Sequence, residues 1–177
     1  MGFALIWKFR LVLFVSACLL LPSCSAITRH LIGPDITGCG DIKWGMTLAQ
    51  VQTLFGTKAR IETDPKSGAK LEHVQMTIGG IEQDGFLSTD AGTDHVSGVH
   101  FFTTGPSHQN NFNALKRNLV ETYGAPGAEH MMTSGPLCFW QFPSGSVTLN
   151  LFRAQGDFKG GVSLAYIKNP LGLPTLH

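Results

Sequence analysis

The chain has 177 residues, with 13 Lys and Arg against 12 Asp and Glu and only 14% charged side chains. That length suits one domain with its own core, and a net charge of +1 excludes the basic stripe that nonspecific nucleic-acid binding needs. Low charge with ordinary Phe and Leu content excludes a disordered polyelectrolyte, and 21 glycines with 9 prolines point to many turns and short strands.

Lys8 and Arg10 precede an apolar run, Leu11 to Leu21, that ends at Pro22-Ser23-Cys24-Ser25-Ala26. A positive start, a short apolar stretch and then small residues make a secretory signal, and the run falls short of the roughly 20 residues that span a bilayer. Residues 1–23 are therefore expected to be a signal peptide. Leu21, Ser23 and Cys24 resemble the lipobox of bacterial lipoproteins, which implies acylation (palmitate included) of Cys24 and anchoring by more than one chain. Ser25 after that cysteine implies sorting to the outer membrane, facing the periplasm; cleavage after Ala26, giving a soluble periplasmic protein, is the alternative. With Cys18 in the signal and Cys24 on lipid, Cys39 and Cys138 remain. Two thiols in an oxidising compartment point to a disulfide between them, the alternative being two buried free thiols.

Residues 24–41 lack periodicity and hold Gly33, Pro34, Gly38 and Gly40, so they read as the lipidated N-terminus and a tether. Thr47 followed by Gln50 is a capping box, Leu48, Val51 and Phe55 fall on one stripe, and Gly56 supplies the stop: a short helix with both ends written in. Trp44 beside it reads as a core plug. Alternation over Leu71–Ile78, a short segment at Ile81–Leu87 and a clearer one at His95–Thr104 predict three strands. The pattern then restarts. Phe112, Leu115, Leu119 and Tyr123 predict a second helix, opened by Asn110 or Asn111 and closed by Gly124. Strands at Leu137–Phe142, Ser146–Arg153 and Gly161–Lys168 follow, and 170–177 is a C-terminal tail. The expected fold over 42–169 is α+β: two helix-plus-three-strand units in tandem, forming one antiparallel sheet with both helices packed on one face.

The run from Ile42 to Gly56, with Gly45, Met46, Thr47, Val51, Leu54 and Gly56 at the marked positions, resembles the small envelope lipoproteins of the SmpA/OmlA (BamE) type. The doubled layout is similar to that of the β-lactamase inhibitor protein. Two positions depart from the first pattern: Thr57 stands where Pro usually follows the helix-ending Gly, and in the second unit Ala125 displaces Pro126 by one. The first resemblance implies an accessory in outer-membrane assembly or envelope maintenance; the second implies an inhibitor or immunity protein that blocks an envelope hydrolase.

Residues that carry chemistry are sparse. His95 and His100 sit five apart on one strand and so on opposite faces, and no His-Glu-x-x-His or Cys-x-x-Cys is present. No metal, cofactor or catalytic residue is therefore assigned. Ser134-Gly135 and Ser144-Gly145 lack the leading glycine of a nucleophile elbow and read as turns. Glu62, Asp64, Glu72, Glu82 and Asp84 leave room for a small carboxylate-dependent hydrolase as a third reading, although spacing alone does not make them converge. What stands out is a surface. With Val147, Leu149, Leu151, Val99 and Phe101 turned to the helices, the other sheet face carries His100, Phe102, Phe139 and Phe152. Aromatic side chains there suit a partner-binding patch, unless a further strand, a loop or the tail covers them. The expected protein is a non-enzymatic binding module whose partner is an envelope protein, with membrane contact through the lipid and none with nucleic acid.

Overall fold

The computed structural model describes residues 35–63 and 70–169. The expected signal peptide, Cys24, Asp64 and the C-terminal tail lie outside the described residues.

In chain order the elements are β1 (Gly38–Cys39), β2 (Ile42–Lys43), α1 (Leu48–Phe55), β3 (Ala59–Thr63), β4 (Lys70–Ile78), β5 (Ile81–Thr89), β6 (Val96–Thr104), α2 (His108–Tyr123), β7 (Ala128–Met132), β8 (Gly135–Phe142), β9 (Gly145–Phe152) and β10 (Gly161–Lys168). Strands β3 to β10 form one antiparallel sheet of eight in the order β3-β4-β5-β6-β10-β9-β8-β7, while β1 and β2 make a separate ribbon. This corrects the expected architecture: the chain is mostly one large eight-stranded sheet carrying two helices among the described residues, not two helix-plus-three-strand units. Besides that ribbon, the unexpected strands are β3 and β7, the two edges of the sheet. Strand β7, Ala128-Glu129-His130-Met131-Met132, buries little of either face and shows neither alternation nor strand propensity, whereas Ala59-Arg60-Ile61-Glu62-Thr63 does alternate but is only five residues long.

Helix α1 is built as its sequence dictates. The Gln50 backbone N–H donates to Thr47 Oγ1 (3.2 Å), the Thr47 N–H donates to Gln50 Oε1 (2.8 Å), and Gly56 closes the helix at φ +55°. Helix α2 starts three or four residues earlier than its asparagines suggest, after Gly105-Pro106-Ser107, with His108 Nδ1 against the Gly105 carbonyl at 2.8 Å. Its buried stripe is Phe112, Leu115 and Leu119.

One row of cross-strand partners runs the width of the sheet: Ala59, Val74, Gly85, Phe101, Leu164, Leu149, Cys138 and Glu129. All but Glu129 are buried, and with Val51, Phe112, Leu115 and Leu119 they belong to the core between sheet and helices. Gly85 is required in that row, because a Cβ there would stand 2.5 Å from the Phe101 ring and 2.7 Å from the His100 carbonyl oxygen. Ile36 and Cys39, expected in a tether, are instead part of this core, and Trp44 packs half-buried against it.

The expected Cys39–Cys138 disulfide is not formed; both thiols are buried and free.

Candidate functional site

Side chains alternate across a strand, so the residues next to the core row lie on the opposite face. The corresponding row there is Arg60, His73, Phe86, His100, Ala165, Thr148, Phe139 and Ala128. Phe102 faces Ser163 across the β6–β10 pair, and Phe152 faces Gly161 across β9–β10. The four residues singled out from sequence, His100, Phe102, Phe139 and Phe152, therefore share this face. Among the described residues no element lies over it. Phe102 is 47% exposed and Phe86 44%, with Ile167 exposed at the far end of β10.

Two aromatic contacts organise the surface. His100 stacks on Phe86 with centroids 4.9 Å apart and planes 10° from parallel, and its Nε2 shares a 3.3 Å hydrogen bond with Ser88 Oγ. Phe102 and Phe152 meet edge to face at 5.8 Å. Each contact depends on a strand glycine. A Cβ at Gly98 would collide with Ser88 Oγ and stand 3.1 Å from His100 Nε2, while one at Gly161 would stand 3.1 Å from the Phe102 ring, in the space the Phe102–Phe152 pair uses. Strand glycines of this kind mark close approach rather than flexibility. Burial lowers the His100 pKa from its ordinary value, so the ring meets its neighbours as a neutral, mostly aromatic surface.

Charge on this face is confined to the β3–β5 side. Arg60 Nε lies 3.3 Å from Glu62, Arg60 Nη2 lies 3.6 Å from Asp84, and His73 Nε2 lies 3.7 Å from Glu62. Glu62 and Asp84, two of the carboxylates considered for hydrolysis, thus flank a guanidinium. Glu72 points to the other face, where with Leu48, Leu87, Thr89, Gly92, Thr93 and Asp94 it lines a cavity of about 620 Å³. Among the described residues no group of three or more His, Cys, Asp or Glu side chains is placed to hold a metal ion.

Phe86 and Ile167 belong to the surface but were not legible as such. Phe86 follows Gly85, and only the register opposite His100 reveals which way it points. Ile167 sits in an alternating strand whose even-numbered members, Val162, Leu164 and Tyr166, define the core; its parity with Ser163 and Ala165 was the available signal. Comparison with known protein families, with curated proteins and with solved structures finds no match.

Proposed function

We propose that the chain is a non-enzymatic, exported protein-binding module of the bacterial cell envelope, held at the outer membrane by lipid on Cys24 and docking a protein on its open sheet face. The role is that of an accessory in outer-membrane assembly or envelope maintenance, the activity implied by the Gly45–Gly56 resemblance to SmpA/OmlA-type lipoproteins. One observation carries the docking surface: Phe86 and Phe102 stand nearly half exposed on a sheet face whose central strands bear no Lys, Arg, Asp or Glu. Large aromatic area at low side-chain entropy cost is the usual currency of a buried contact centre.

A second reading is an inhibitor or immunity protein acting on one envelope hydrolase. It draws on the breadth of the surface, since the first half of the sheet supplies Phe86, His100 and Phe102 and the second supplies Phe139 and Phe152. Such a surface could span the rim of a folded enzyme's cleft.

The test compares the exported chain bearing Cys24→Ser with the same chain also bearing Phe102→Ser and Phe152→Ser, each used to capture partners from envelope extract. The proposal expects one stoichiometric protein with the first and none with the second, while circular dichroism of the two coincides. Equal capture by both would overturn the open face as the docking surface. Loss of a hydrolase activity on capture selects the inhibitor.

A further inference from the structure

The helix side of the sheet is unevenly covered. Helix α2 has 16 residues and packs against β9 and β10, whereas α1 has eight and lies beside β3. Between the start of α1 and the strands β4 and β5, the short helix leaves the cavity of about 620 Å³, within the roughly 300–1,000 Å³ that small-molecule sites occupy. Its lining passes from exposed to buried. Gly92, Thr93 and Asp94 stand exposed in the β5–β6 turn, Leu48, Leu87 and Thr89 are half-buried, and Glu72 is only 8% exposed. Glu72 and Leu87 sit next to the paired His73 and Phe86, on the side of β4 and β5 turned away from the open face.

The exposed wall is held in place by backbone contacts. The Leu48 N–H donates to the Asp94 carbonyl at 3.1 Å, tying the helix start to the turn. Within the turn, the Thr93 N–H and Thr93 Oγ1 donate to the Asp90 carbonyl at 3.0 and 3.1 Å, and the Asp90 N–H donates to the His95 carbonyl at 2.9 Å. A wall fixed in this way costs little further ordering when a ligand enters. Charge then selects the ligand's sign. The lining holds two carboxylates, Glu72 and Asp94, and no Lys, Arg or His, while Leu48 and Leu87 supply apolar wall. Neighbouring cations are engaged elsewhere. Lys168 Nζ bonds Asp90 Oδ2 at 2.8 Å, and Arg60, which borders Glu72 across a narrower cleft, lies 3.3 Å from Glu62 and 3.6 Å from Asp84. An ionised carboxylate offers about four lone-pair sites, so Glu72 keeps acceptor capacity beyond its contacts within the fold. A charged donor meeting it at the buried end gains more than it would in water.

We propose that this cavity binds a small organic cation, its ammonium group on Glu72, its apolar body against Leu48 and Leu87, and Asp94 drawing it in from the exposed side. The site lies on the opposite side of the sheet from the docking face, so either can fail without the other. The test is an NMR titration of the isotope-labelled exported chain bearing Cys24→Ser, with phenethylamine as the probe and phenylacetate as an anion of nearly the same shape. The expected result is saturable shifts at the Leu48, Thr89, Thr93 and Asp94 amides, with a Kd of about 1 mM or below. Phenylacetate should bind at least about tenfold more weakly. Glu72→Gln keeps the side chain's size and removes its charge, and should weaken the amine by at least about tenfold. Thr89→Phe, at a half-buried position of the wall, fills the cavity and should abolish the shifts, which keeps the test open where Glu72→Gln does not fold. Phe102→Ser, on the other face, should leave amine binding unchanged. Equal affinity for the amine and the acid overturns the proposal, as does the absence of saturation by about 10 mM. Shifts confined to other parts of the chain, or amine binding that survives in folded Glu72→Gln or in Thr89→Phe, also overturn it.

Discussion

Phe101 and Phe102 are neighbours in sequence and opposites in environment, and truncating each to alanine separates folding from binding. Phe101 is 1% exposed, at the centre of the row that crosses the sheet. Its loss removes a fully buried ring and leaves a cavity that Gly85, with no side chain, cannot help to fill, so Phe101→Ala should cost about 3–5 kcal/mol. Phe102 is 47% exposed, so about half of the roughly 1.5–3 kcal/mol available from burying a Phe side chain is at stake. Adding part of an edge-to-face pair with Phe152, Phe102→Ala should cost about 1–2 kcal/mol. With a urea slope of about 2 kcal/mol/M, the unfolding midpoint should fall by about 2 M for Phe101→Ala and by less than about 1 M for Phe102→Ala. Intrinsic tryptophan fluorescence reads the transition, since Trp140 is buried with its indole N–H on the Gly124 carbonyl at 2.9 Å. Partner capture, by contrast, should be lost in Phe102→Ala and kept in whatever fraction of Phe101→Ala stays folded. Equal destabilisation by the two would refute the reasoning, because it would mean that Phe102 is covered.

Other consequences follow from the same contacts. Thr47→Ala removes one arm of the α1 capping box and should lower stability by about 1 kcal/mol; a shift of only a few tenths in urea unfolding would show that the ribbon and β6 hold the helix start without it. Burial pushes the Cys39 thiol up to about 12 and raises that of Cys138 as well. Cys39 should therefore resist alkylation in the folded chain by about 10³-fold relative to the unfolded one, and Cys138 should also be slowed. Two reactive thiols should appear per Cys24→Ser chain in denaturant once the signal is removed, and their absence would mean that the exported protein oxidises them. His100 gives a pH dependence. Its folded pKa is held below 6.5 by burial beside Phe86 and Ser88. As pH falls through 6.5 the unfolded chain takes up a proton that the folded chain does not, so stability declines until the folded pKa is passed. His100→Gln should flatten that part of the urea-midpoint profile between about pH 8 and about pH 5, and an unchanged slope would assign it to other groups.

Helix α1 was fully legible because everything that defines it is local: Thr47 and Gln50 cap each other, and Gly56 needs only its own φ. The faces of β9 were legible for a similar reason, since Val147, Leu149 and Leu151 alternate cleanly with Thr148, Asn150 and Phe152. What escaped depends on partners distant in sequence. Strand β7 is recognisable chiefly by the neighbour it pairs with, being an edge that buries little, and β3 is a five-residue alternation too short to stand out. The demand for Gly85, Gly98 and Gly161 arises from side chains on adjacent strands, and composition alone reads these glycines as turn formers. The cysteine pair failed as an inference because burial on the core side does not bring two thiols together, and both are free. Ile36 and Cys39 had no periodicity to announce their burial, which rests on a two-residue ribbon against β10.

The central claim is that a protein partner contacts this chain through its open sheet face. Replacing Phe102 with p-azidophenylalanine, which preserves the ring, and illuminating intact cells tests it most directly, with the same residue at exposed Glu121 on α2 as the comparison. A discrete cross-linked adduct from position 102 and none from 121 is the predicted result. Adducts from 121 alone would place the contact on the helical side and contradict the account.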